Sequence, residues 1–211
     1  MKIGVLALHG AVIEHIATLR SIGVEGVPVR LPEDLEGLSG LIIPGGESTT
    51  MRKLSARWGL REPIMDLARS GAPILGTCAG MIVLAKEIAG GEEPVFPLLD
   101  VTVERNAFGR QLDSFEMDLS VPILGDRPVH AIFIRAPIIE RVGAGVEVLA
   151  RLPDKRVVAV RQRNVIALSF HPELAGETRI HRLVVTMATE YAEPAEGSVA
   201  GAAPWSAGGA A

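Results

Sequence analysis

The sequence predicts an α/β fold: a largely parallel sheet with helices packed on both faces, giving three layers. Apolar runs that read as buried strands alternate with helical segments through the first half of the chain. Glycines stop most of these runs, as a strand-turn-helix succession requires. The 211 residues, 48% of them hydrophobic, suit one domain with a well-filled core.

Taken in order, Lys2–Leu8 (KIGVLAL) reads as a buried strand ending at Gly10. Ala11–Ile22 follows as a helix, with Ile13, Ile16, Ala17 and Leu19 at helical spacing. Gly26–Val29 is a short strand. Gly40–Ile43 is another, stopped by Pro44-Gly45-Gly46, and the segment through Thr50 opens a helix. Leu60–Ser70 is helical and closes at Gly71. Ala72–Leu75 is the next strand, and Ala79–Ile88 is read as a single helix closed by Gly90-Gly91.

The second half changes character. Val101–Glu104, Phe115–Leu119, Val129–Ile134, Val146–Leu152, Val157–Arg161 and Val165–Ser169 read as short strands joined by turns, with a hairpin turn at Arg161–Asn164. Thr178–Tyr191 is the last helix, with Ile180, Leu183, Val184 and Met187 on one face. Residues 1–191 therefore form one domain. The Ala-, Gly-, Pro- and Ser-rich tail from 192 to 211 is expected to be disordered, because it has too little apolar surface to order itself.

Bulk charge narrows the function. The formal net charge is −4, with 21 basic and 25 acidic residues. That balance gives no electrostatic basis for binding nucleic acid or an anionic membrane. A single cysteine, Cys78, cannot form an internal disulfide. No apolar run is long enough for a secretion signal or a membrane span. A soluble cytoplasmic protein is expected.

Cys78 is the candidate nucleophile. It lies in Gly76-Thr77-Cys78-Ala79-Gly80, between a strand and a helix. This is the G-x-nucleophile-x-G spacing of a nucleophile elbow. Such a turn is strained, and glycines on either side remove side chains that would clash. It sets the sulfur at a helix N-terminus, where backbone dipoles favour the thiolate, and leaves the Ala79 N–H as an oxyanion donor. The competing reading, a small core hydrophobe, does not account for the paired glycines.

His171-Pro172-Glu173 follows the apolar strand Ile166–Phe170. Residues two apart in extended chain point the same way, and Pro172 biases His171 toward that conformation. Glu173 can thus hold one imidazole nitrogen while the other faces Cys78, the logic of nucleophile, base and orienting carboxylate. His15 and His181, both on helices, read as surface or packing residues. His130 begins a strand, and His9 at the end of the first strand is ambiguous. Pro44-Gly45-Gly46-Glu47-Ser48-Thr49-Thr50 is no phosphate loop, since no Gly-Lys-Ser/Thr follows at the needed spacing. It reads either as a turn with Ser48 capping a helix or as the source of a second oxyanion donor. Arg105 and Arg135 lie beside strand residues, where a guanidinium can hold a carboxylate with two hydrogen bonds.

PGGEST, GTCAG, ERNAFGRQ, FIRAP and SFHPEL, in this order between Met1 and Tyr191, resemble the glutaminase subunits of pyridoxal 5′-phosphate synthase. GTCAG and HPE are shared with class I glutamine amidotransferases at large. The resemblance implies a flavodoxin-like α/β/α sandwich with a mixed, mainly parallel sheet. It implies Cys78 as nucleophile, His171 as base and Glu173 as its partner, with Gly46 and Ala79 forming the oxyanion hole. Gly46, Glu47, Ser48, Arg105, Ile134 and Arg135 would bind L-glutamine. The partner would be a (β/α)₈-barrel synthase subunit that uses the ammonia to build pyridoxal phosphate; no cofactor or metal is expected. One departure stands out: the family's L-x-L-Q-G motif is Leu6-Ala7-Leu8-His9-Gly10 here. Glutaminases of histidine or aminobenzoate synthesis lack the ERNAFGRQ and FIRAP segments. A non-catalytic subunit of the same fold would not be expected to keep Cys78, His171 and Glu173 together.

Overall fold

The computed structural model describes residues 1–105, 107 and 114–192. Most of the expected disordered tail, from residue 193 onward, lies outside the described residues. So do Asn106 and residues 108–113, which include the end of the ERNAFGRQ segment.

The first half builds the alternating layers. Strand β1 (Lys2–Leu6), helix α1 (Val12–Ser21), β2 (Glu25–Val29), β3 (Gly40–Ile43), α2 (Ser48–Arg57), α3 (Arg61–Arg69), β4 (Ile74–Thr77) and α4 (Ala79–Leu84) follow in turn. After α4 the chain runs through β5 (Ala85–Ile88), β6 (Leu99–Glu104), β7 (Ser114–Leu119), β8 (Val129–Ile134) and β9 (Ile138–Val142). It continues through β10 (Glu147–Arg151), β11 (Val157–Gln162), β12 (Val165–Leu168) and α5 (Arg179–Ala192).

The main sheet has the order β2-β1-β3-β4-β12-β11-β9-β6-β5, with β10 on β11. The pairs from β2 through β12 are all parallel, as is β5 with β6; the pairs among β6, β9, β10, β11 and β12 are antiparallel. The mixed, mainly parallel sheet expected from the sequence is therefore present. Successive strand residues feed opposite cores. Ile42, Ile166 and Leu168 pack with Leu19 of α1, Ile180 and Val184 of α5, and Val129 and Phe133 of the β7–β8 hairpin. Leu41, Ile43, Val165 and Ala167 pack with Met51, Ile64 and Met81 from α2, α3 and α4. Strands buried on both faces have no polar side to show, which is why they read as apolar runs.

Three expectations are corrected. Ala79–Ile88 is not one helix: α4 ends at Leu84, and Ala85 is extended at ψ 144. Residues 85–88 instead pair with β6, Ala85 with Leu99 and Ile88 with Val103, so a sheet ladder replaces the helical hydrogen bonds. The carbonyls of Val83 and Leu84 accept from Phe96 and Leu98 N–H, closing the helix end. In α1 the buried residues are His15, Thr18 and Leu19, while Ile13 is 77% exposed. Leu19 and Ile16 face the core as the spacing predicts, but His15 and Thr18 are buried where Ile13 and Ala17 were expected to be. Strand β9 was not anticipated, because its charged Glu140 and Arg141 mask a segment defined by pairing with β6.

Candidate active site

Strands β1, β3, β4 and β12 are neighbours and run parallel, so their carboxyl ends share one edge of the sheet. Ligand sites in open α/β sheets form at that edge. The loops leaving these strands carry His9, Gly45–Ser48, Cys78 and His171–Glu173. Residues from four distant parts of the sequence thus arrive at one place through strand order alone.

Cys78 sits between β4 and α4 at φ 50, ψ −106, a backbone conformation that residues with a Cβ seldom adopt. Its N–H is held by the Leu168 carbonyl of the neighbouring strand at 2.8 Å. The flanking glycines are required by contact. A Cβ on Gly80 would lie 2.1 Å from the Ile43 carbonyl oxygen, and one on Gly76 would lie 2.7 Å from the Gly80 carbonyl. Ala79 opens α4, so its N–H belongs to the helix turn that lacks intrahelical acceptors.

His171 and Glu173 meet, but through a turn and not the expected extended chain: residues 172–176 turn, and the Leu174 N–H donates to the His171 carbonyl at 3.3 Å. His171 Nδ1 and Glu173 Oε1 are 2.7 Å apart, and the Glu173 side chain is fully buried. Burial by itself would lower the imidazole pKa. Hydrogen bonds and charge from Cys78 and Glu173 overcome it and push the His171 value up to about 10. The imidazole therefore keeps its proton near neutral pH. Its backbone N–H is fixed by the Ile132 carbonyl of β8 at 2.9 Å.

The glycine loop is pressed against this pair. A Cβ on Gly45 would lie 2.2 Å from His171 Cε1 and 3.2 Å from Cys78 Cβ. The Gly45 N–H donates to Thr77 Oγ1 at 3.0 Å, and its carbonyl accepts from Ala11 N–H at 3.1 Å. The planar peptide then turns the Gly46 N–H away from Ala11. His9 Nδ1 accepts the Glu47 N–H at 3.1 Å, so His9 pins this loop as an acceptor. Ser48 is the first residue of α2 and is buried; the N-cap is Glu47, and no side chain caps it.

The β7–β8 hairpin supplies the opposite wall. Cys78 Sγ lies 3.7 Å from the Ile134 carbonyl oxygen. Arg135 follows at φ 44 and is exposed. Arg105 closes on Glu92 at 2.5 Å, and Glu92 also meets Arg52 of α2 at 3.4 Å. Cys78, His171, Glu173, the Gly45–Gly46 loop, Ala79 and Ile134 are thus brought together. Arg105 is held instead by its ion pair with Glu92.

Three residues at the site carried no expected role there: Thr77, His15 and His181. Of the surface and packing readings for His15 and His181, burial decides for packing: both are completely buried, and His15 lies 3.5 Å from Glu173. The signal was present in the helical stripe. His15 shares a face with Val12, Ile16 and Leu19, and His181 with Ile180 and Val184.

The family model described as the SNO glutamine amidotransferase family matches residues 5–190. The chain belongs to that family. Among relatives of this SNO-family chain, the "Pyridoxal 5′-phosphate synthase subunit PdxT" of Dehalococcoides mccartyi is 58% identical over 193 residues, 90% of this chain and 99% of that protein. The protein of the same name from Herpetosiphon aurantiacus is 58% identical, covering 87% and 98%. A solved structure titled as a glutamine amidotransferase is 50% identical, covers 89% of this chain and 98% of its own, and superposes with a TM-score of 0.84. The PurLQS structure from Thermotoga maritima is 20% identical, covering 90% of this chain and 98% of the matched one, with a TM-score of 0.64, which shows a shared fold. The family's sandwich architecture is the fold described above. Among the described residues, no helix is long and apolar enough to cross a membrane.

Proposed function

We propose that this chain hydrolyses L-glutamine to L-glutamate and ammonia through Cys78, His171 and Glu173, as the glutaminase subunit of pyridoxal 5′-phosphate synthase. The observation that carries the chemistry is the strained Cys78 turn beside an imidazole that hydrogen-bonds a fully buried carboxylate. The family membership and the names of relatives at 58% identity support the pathway.

The Cys78 thiolate, its proton held by His171, attacks the side-chain carbonyl carbon of glutamine, forming a C–S bond and an oxyanion. The N–H groups of Gly46 and Ala79 hold that charge. His171 delivers its proton to the amide nitrogen, the C–N bond breaks, and ammonia leaves a thioester. Water then gives a proton to His171 and attacks the thioester carbon. The C–S bond breaks, and glutamate departs. Glu173 keeps the imidazole oriented and stabilises its charged form. Gly46, Glu47, Ser48 and the 134–135 backbone hold the glutamine, and Arg105 and Arg135 meet its α-carboxylate. The ammonia passes to a (β/α)₈-barrel synthase subunit in the cytoplasm. The unit that does this is residues 1–191.

The test is steady-state glutamate production by this chain alone and in the presence of the barrel synthase. A rate that rises on complex formation, and that Cys78→Ala abolishes in both states, is expected. Turnover by the Cys78→Ala variant within tenfold of the parent would refute the assignment.

A further inference from the structure

Glu173 presents a problem that the triad does not solve. One of its oxygens, Oε1, meets His171 at 2.7 Å. The other, Oε2, is buried and has no hydrogen-bond partner within ordinary range. A carboxylate oxygen in a dry interior needs a donor. His15 Nε2 lies 3.5 Å from it, in a fully buried ion-pair arrangement. The same nitrogen is 3.2 Å from Thr77 Oγ1, the oxygen that also receives the Gly45 N–H. On the other side of the ring, His15 Nδ1 is 2.9 Å from His181 Nε2.

His181 Nδ1 is likewise buried with no hydrogen-bond partner, so it is the demand of Glu173 Oε2 for a donor that sets the proton positions. If His15 carries its proton on Nε2, it donates toward Glu173 and Thr77, and His181 Nε2–H donates to the bare Nδ1. The opposite tautomer would aim a lone pair at Glu173 Oε2 and leave that oxygen with no donor. The titratable groups facing His15 are His181 from α5, and Glu173 and His171 from the segment after β12. Burial, then the charges of His181 and His171, hold His15 well below the ordinary imidazole value. Burial pushes His181 down to about 4. Both rings are therefore neutral near pH 7, so His15 can donate to the carboxylate without adding a cation that competes with His171.

Building on the triad assignment, we propose that His15 is a positioning residue of the glutaminase reaction. Its Nε2–H holds Glu173 against His171 and, through Thr77, ties the carboxylate to the Gly45 loop, while His181 fixes the His15 tautomer. One buried ring thus couples the orienting carboxylate to the loop that supplies an oxyanion donor. His15 touches neither substrate nor the reacting atoms; it acts through Glu173 and Thr77.

The test compares His15→Gln, His15→Asn and His15→Leu in the complex with the synthase subunit. The Gln amide nitrogen reaches the Nε2 position, the Asn amide reaches only the Nδ1 position, and Leu fills volume alone. Losing a donor to a buried charged group predicts a fall in kcat of about ten- to a hundredfold for Asn and Leu, with KM little changed. His15→Gln is expected to recover most of the rate. Equal losses in all three variants would mean that His15 only packs, and would overturn the proposal. Nitrogen-15 NMR of histidine-labelled parent protein gives an answer that needs no variant to fold. An Nε2–H tautomer at His15 is expected, and an Nδ1–H or doubly protonated ring would overturn it. Cys78→Ala and Glu173→Gln, assayed beside these, separate the two ideas. If they stay active the triad assignment fails, whereas inactive controls beside an unaffected His15→Asn refute only the role of His15.

Discussion

Replacing Cys78 by glycine and by alanine separates the strain of the elbow from its chemistry. At φ 50 and ψ −106 the residue occupies a conformation that costs a side chain about 1–3 kcal/mol. Alanine keeps the Cβ and hence the strain. Glycine removes it, at a penalty of roughly 0.5–1 kcal/mol for extra freedom in the unfolded chain. Both variants lose the same buried sulfur, so that contribution cancels between them. The balance leaves glycine ahead of alanine by about 1 kcal/mol, the reverse of the order at an unstrained position. For a domain of this size that is a difference in Tm of roughly 2–4 °C, measured by calorimetry at one pH and scan rate. Both variants should lose glutaminase activity by at least about a thousandfold, since neither has a nucleophile. An alanine variant that melts above the glycine variant would show that the turn stores no strain, and the elbow account of Cys78 would fall with it.

Gly45→Ala should lower kcat by about a hundredfold while the protein still folds, because its Cβ, 2.2 Å from His171 Cε1, forces the imidazole out of line; a variant with parental kcat would show that the loop yields freely. Arg105→Ala and Arg135→Ala should raise KM for glutamine with a smaller change in kcat, as loss of uniform binding does. Calorimetry showing parental glutamine affinity in both would reassign them to structure or to the partner interface. Acid should destabilise the fold through the buried histidine pair. His181 has a folded value near 4, below the 6.5 of an exposed histidine, so the unfolded chain binds more protons between these values. The stability this neutral ring contributes is complete above about pH 6.5 and is lost as pH falls toward 4. Urea melts across that window should show a shallower pH slope for His181→Asn than for the parent; identical slopes would count against a neutral buried pair.

Local chemistry made much of this protein legible in its sequence. The elbow was visible because a strained turn demands glycines at fixed offsets, and Gly76 and Gly80 stand at those offsets around Cys78. The short spacing made the His171–Glu173 pairing visible, but the 2.7 Å contact is made within a turn, where the Leu174 N–H donates to the His171 carbonyl, and not by the alternation of extended chain. The layer order was visible because strands buried on both faces must be apolar throughout.

Other features are decided by partners distant in sequence, and these only the tertiary structure supplies. Residues 85–88 have a helical sequence pattern, but β6 offers them a ladder and they become a strand. Arg105 finds Glu92, a pairing that no spacing rule connects. His15 and His181 lie 166 residues apart, and each alone looks like an ordinary helix residue. The sequence by itself determined which residues are proposed to react, because bonding geometry within a few residues marks them. Which buried groups stand behind those residues was decided by how α1, β4 and α5 converge, since a donor for a buried carboxylate is chosen by proximity in space.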